Sequence, residues 1–117
     1  MLEQIGLTAL ANAKADELSH GDQRIIEMAI TPAASPALLL LDEPTCGMSR
    51  EETVRMVRLI DAISQRQTVL LIEHNMHVMT VSDRITVLHF GEVLADGAPA
   101  EVRQHPDVRR AYLGSLP

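Results

Sequence analysis

The chain has 117 residues, 46% of them hydrophobic, with 16 acids against 10 Lys and Arg for a formal net charge of -6. That suits one small globular domain or part of a larger one, and the acidic balance argues against a nucleic-acid binder, which presents a basic face. A single cysteine, Cys46, excludes an internal disulfide and fits a reducing compartment. No apolar run reaches the roughly 18 residues needed to cross a bilayer. The start, MLEQIGLTALANAKADE, lacks the basic region of a secretory signal. Aromatics are only 2%, so a core has to come from Leu, Ile, Val, Ala and Met.

In chain order, LEQIGLTALANA reads as a short amphipathic segment. ELSHGDQRIIEMAIT reads as a helix, with Ser19 as N-cap, Asp22 at capping-box spacing, and Pro32 and Pro36 closing it off. ALLLL (37–41) is a continuous apolar run of the kind found in a buried parallel strand. SREETVRMVRLIDAIS reads as a second helix. Ser49 and Glu52 form a capping box there, and Met56, Val57, Ile60 and Ile63 share one face. TVLLIE (68–73) is a second buried-type strand, and NMHVMTVS (75–82) a short helix capped by Asn75. ITVLHFGEVLADG predicts a hairpin turning at Phe90-Gly91. PAEVRQH and PDVRRAYLG predict two short helices with Pro in the first turn, the last stopped by Gly114.

This alternation predicts an α/β fold with a mainly parallel sheet and flanking helices. Ligands in such sheets sit beyond the carboxyl ends of the strands. Asp42, Glu43, Glu73 and His74 all fall there. An apolar strand that ends in two acids has a chemical use. The first carboxylate can hold Mg²⁺ through water beside a nucleotide triphosphate, and the second can orient or deprotonate an attacking water. The bland reading is that Asp42 and Glu43 only cap the segment that follows. Ser19 and Gly21 open a helix whose free N–H groups and positive dipole end suit an anion, although an ordinary capped helix would look the same.

Taken together, the motifs resemble the ATP-binding subunits of ABC transporters. Leu18-Ser19-His20-Gly21-Asp22-Gln23-Arg24 is similar to the family signature, usually LSGGQQR. LLLLDEP resembles its Walker B motif with the adjacent catalytic glutamate. TCGMS (45–49) stands where the D-loop belongs, and LLIEHNM resembles the H-loop with its switch histidine. The tail VLHFGEVLADGAPAEVRQHPDVRRAYLG looks like the branch that imports branched-chain amino acids.

The resemblance implies a P-loop-type ATPase domain, C-terminal half. Residues 1–35 would be the end of its helical subdomain, and 36–117 part of the catalytic core with C-terminal helices. It implies Asp42 as the Mg²⁺ ligand, Glu43 as catalytic base and His74 as the sensor of the γ-phosphate. Ser19, His20, Gly21, Asp22 and Gln23 would contact ATP held by a second ATPase subunit. It further implies membrane permease partners, no nucleic acid, and a cytoplasmic position on the inner face of the cell membrane. The function expected is ATP hydrolysis driving import of branched-chain amino acids or a related small solute. The rival readings are a non-transport ATPase of DNA repair or chromosome maintenance, and a non-catalytic remnant. No heptad run of the kind carried by the repair ATPases is present.

Three departures stand out. His20 replaces a signature glycine, Asp22 puts a negative charge where the family has glutamine, and Ser49 replaces the usual D-loop aspartate. The single lysine, Lys14, follows Ala13, so the Gly-Lys of a P-loop occurs nowhere in the 117 residues. The sequence therefore predicts a chain that is inactive alone. His77, His89 and His105 have no mutual ligand spacing, and Arg103, Arg109 and Arg110 read as a solvated helix face.

Overall fold

The computed structural model describes residues 11–113. The amphipathic segment read at the N-terminus falls mostly outside them, as does Gly114. The chain divides into two compact units, one ending at Glu73 and the other starting at His74.

In the first unit, α1 (His20–Ile30) begins where Ser19 accepts the N–H of Asp22 on its hydroxyl, 3.1 Å away. A 3₁₀ turn, Thr31–Ala34, carries Pro32, and Ser35 follows with φ 49°. β1 (Leu38–Asp42) pairs in parallel with β2 (Thr68–Ile72), in register from Leu38 opposite Thr68 to Asp42 opposite Ile72. The crossover between them is α2 (Arg50–Ser64). Its capping box is complete: Glu52 N–H donates to the Ser49 hydroxyl at 3.2 Å, and Ser49 N–H donates to the Glu52 carboxylate at 3.0 Å. Each such bond satisfies a helix N–H that would otherwise lack an acceptor.

Ile25 and Ala29 of α1, Leu39 and Leu41 of β1, and Met56, Leu59, Ile60 and Ile63 of α2 form one core. Leu38 and Leu40 are 50% and 65% exposed, and Leu70 and Ile72 of β2 are 57% and 59% exposed. The continuous leucine run predicted a strand buried on both faces. Among the described residues only one face is covered, because both helices of this unit pack on the side that Leu39 and Leu41 occupy.

In the second unit, residues 78–81 form a 3₁₀ turn rather than the predicted helix. The Asn75 side chain accepts the N–H of His77 at 3.0 Å, a local turn that competes with helical pairing. β3 (Ile85–His89) and β4 (Glu92–Gly97) form the predicted antiparallel hairpin, with a register shift between Val87 and Leu88. Phe90 and Gly91 take φ of 50° and 79°, the left-handed pair that a two-residue turn needs to match strand twist. α3 (Pro99–Gln104) follows, then a short helical stretch through Leu113 whose last turn is π-helical. Val87, Val102 and Val108 are its core.

Candidate functional site

The parallel ladder runs to the end of β1 and one residue further. Asp42 is the last strand residue and is exposed. The N–H of Glu43 donates to the carbonyl of Ile72 at 2.8 Å, and the chain then leaves the sheet. Glu43 does so at φ 45°, a left-handed conformation that costs a residue with a side chain about 1–3 kcal/mol and persists only where its surroundings impose it. Several contacts impose it here. The Glu43 carbonyl accepts the Cys46 N–H at 3.1 Å, and Gly47 completes the turn at φ 74°. Pro44 and Thr45 are buried beneath it. Thr45 donates its N–H (3.0 Å) and its hydroxyl (2.5 Å) to one oxygen of Glu73, the acid at the tip of β2. Asp42 also lines an open cleft of about 240 Å³, together with Arg24, Leu41, Pro44 and Met56.

The predicted anion-facing segment lies at the start of α1 in the same unit. Ser19 caps the helix and its hydroxyl donates to Glu52 of α2 at 3.0 Å. The Glu52 carboxylate lies so close to Gly21 that a methyl group there would overlap it. The Ser49 N–H, and after it the Ser19 and Ser49 hydroxyls and the Arg55 charge, hold the Glu52 carboxyl below its ordinary range. Asp22 meets Arg55, one turn further along α2, at 3.0 Å in a half-buried ion pair. The charge that seemed unfavourable for a phosphate in the sequence is thus matched by a guanidinium. His20, the first residue of α1, is exposed, and Gln23 donates to the Leu18 carbonyl at 3.3 Å.

His74 opens the second unit and its side chain is exposed. His89 packs edge-on against Phe90 and Tyr112. No cluster of three or more His, Cys, Asp or Glu able to hold a metal occurs among the described residues. Nor is any described helix long and apolar enough to cross a membrane.

Comparison with known proteins identifies the family. The family model for ABC transporters matches residues 1–46, and that for the branched-chain amino acid ATP-binding cassette transporter matches residues 92–115. The chain is 47% identical over 116 residues to the high-affinity branched-chain amino acid transport ATP-binding protein LivG of Salmonella typhimurium, a match covering 97% of this chain and 46% of the relative. It is 45% identical, with the same coverage, to the branched-chain amino acid transport ATP-binding protein BraF of Pseudomonas aeruginosa. The chain belongs to the ABC transporter ATP-binding family. Among solved structures it resembles the ADP conformation of MJ1267, an ATP-binding cassette of an ABC transporter. That likeness has a TM-score of 0.76 and 26% identity and covers 97% of this chain and 47% of the other. The chain thus spans about half the length of the relatives it matches.

Within this ABC chain, several residues that hold the site escaped the sequence reading. Glu52 was visible as a capping-box partner, but its second bond to Ser19 crosses 33 positions. Arg55 carried no local signal, and Arg24 showed only as the last residue of the signature-like stretch. Each lies on an amphipathic helix, and the packing of α1 on α2 and on the turn after β1 gives it the partner observed. Glu73 was noted as a strand-end acid, yet its observed work is to anchor Thr45.

Proposed function

We propose that the chain is the catalytic-core and signature portion of an ATPase subunit that drives import of branched-chain amino acids or a closely related small solute. The observation that carries this reading is the delivery of Asp42 and Glu43 at the carboxyl end of a parallel strand, with Glu43 in an imposed left-handed conformation. The relation to LivG and BraF supports the solute class.

In this reading ATP is the substrate and Asp42 would hold Mg²⁺. Mg²⁺ keeps several waters and takes one or two protein carboxylates beside nucleotide phosphates, so an exposed Asp42 at the strand end fits it. The ion supplies charge neutralisation to the phosphates. Glu43 takes a proton from the attacking water, and His74 contacts the γ-phosphate. Ser19, His20, Gly21, Asp22 and Gln23 face the nucleotide held by a second ATPase subunit. The phosphate-cradling loop comes from outside these 117 residues, since they contain no Gly-Lys pair. The assembled protein docks on permease subunits at the inner face of the cell membrane.

The test uses a chimeric subunit in which this chain replaces the matching stretch of LivG. Glu43→Gln is expected to keep ATP binding and lower hydrolysis about 10²–10⁴-fold, the usual effect of losing a general base. His74→Ala is expected to cut hydrolysis with little change in Mg²⁺ requirement. Turnover of Glu43→Gln at the parental rate would sink the assignment.

A further inference from the structure

We propose that Arg24 is a positioning residue for Glu43, acting from α1 on the backbone of the turn after β1. The inference rests on the proposed catalytic role of Glu43 and adds a residue to it. Arg24 donates through one guanidinium nitrogen to the carbonyl of Cys46 and through the other to the carbonyl of Glu43, at 3.3 Å. The Glu43 carbonyl already accepts the N–H of Cys46. Two carbonyls three residues apart therefore converge on one planar cation. Their negative ends would repel if the cation left, and a rigid fork of donors is suited to holding both at fixed spacing.

What is held matters chemically. Glu43 has φ 45°, unfavourable for a residue with a side chain, and its N–H is fixed on Ile72 at 2.8 Å. The direction of its carboxylate follows from that backbone. A change in the turn would swing the carboxylate away from the space beside Asp42, and Arg24 and Asp42 line the same cleft. The guanidinium lies on the backbone carbonyls, so it acts on Glu43 through the turn. It also makes the start of α1, which carries the signature residues, mechanically continuous with the acid of β1.

The experiment has two arms. In this chain, amide hydrogen exchange is measured at Glu43 and Cys46 in the parent, Arg24→Met and Arg24→Lys. Exchange at both amides is expected to rise about 10-fold or more in Arg24→Met, with α2 unchanged and Arg24→Lys in between. In the LivG chimera, Arg24→Met is expected to lower kcat about 10- to 100-fold while KM for ATP moves less than about 3-fold, with partial recovery in Arg24→Lys. Unchanged exchange at Glu43 and Cys46 overturns the proposal, whatever the activity. So does a KM effect without a kcat effect, or an unchanged kcat in a chimera where Glu43→Gln is inactive. If Glu43→Gln itself leaves hydrolysis intact, the catalytic reading of Glu43 fails and the positioning proposal falls with it. A latch seen by exchange alone would then be only structural.

Discussion

Thr45 gives both of its donors, N–H and hydroxyl, to a single oxygen of Glu73, at 3.0 and 2.5 Å. The pair ties the turn after β1 to the tip of β2 across 28 positions of sequence. A hydrogen bond to a charged group is worth about 1.5–3 kcal/mol, and Thr45 is 6% exposed, so water does little to replace it. Thr45→Val keeps the shape and removes the hydroxyl. It is expected to lower unfolding free energy by about 1.5–3 kcal/mol in urea denaturation. Thr45→Ser, which keeps the donor, is expected to lose less than half of that. Equal losses in the two variants would show that the methyl group and not the bond matters.

The carboxyls of Glu52 and Asp96 are both held below their ordinary range. For Glu52 the chief cause is the Ser49 N–H, and for Asp96 the bond from Arg84, followed by that from Thr86. A carboxyl whose folded value is depressed contributes stability that is complete above its unfolded value and disappears as pH falls through the folded one. Stability is therefore expected to decline from about pH 5 downward. Glu52→Gln should flatten that decline for the first unit and Asp96→Asn for the second. Hydrogen exchange followed separately in the two units against pH checks both. A decline of the same steepness in Glu52→Gln would exclude the Glu52 contribution.

Much of this was legible in the sequence because it is local. The Ser19 and Ser49 caps, the Pro-closed end of α1, the Phe90-Gly91 turn and the strand ends, each placed within one residue, depend on neighbours close in sequence. The site acids were legible for the same reason, as charges terminating an apolar run. The fixing of that site was not. Glu52–Ser19, Asp22–Arg55, Arg24–Glu43 and Thr45–Glu73 span 19 to 33 positions. They exist only once α1, α2 and the β1 turn are packed. The 3₁₀ turn at 78–81 was misread as a fuller helix because the Asn75 side chain satisfies the His77 N–H locally and the helix has no need to start there.

The Asp22–Arg55 pair joins the start of α1 to α2. Side-chain exposure of 29% for Arg55 and 13% for Asp22 places the pair between surface and core. A double-mutant cycle with Asp22→Asn and Arg55→Met is expected to give a coupling of about 1 kcal/mol, intermediate between exposed and buried pairs. Asp22→Asn alone should cost more than the double variant, because it leaves the Arg55 guanidinium without its hydrogen-bonded carboxylate. Additive single effects would mean that the two charges do not stabilise each other.

The exposed face of the β1–β2 sheet has a consequence for the chain on its own. Leu41 is 8% exposed and Leu40 is 65% exposed, one residue apart on opposite faces. Leu41→Ala is expected to destabilise by about 2–5 kcal/mol through a cavity, and Leu40→Ala by less than about 1 kcal/mol. In solution the uncovered leucines lie beside Leu70 and Ile72, and contiguous apolar strand surface of this kind draws chains together. The isolated chain is therefore expected to self-associate in a concentration-dependent way when sized by light scattering. Leu40→Lys with Leu70→Lys should reduce that association without unfolding the unit, since neither side chain belongs to its core. A parent chain that stays monomeric at high concentration would overturn this expectation.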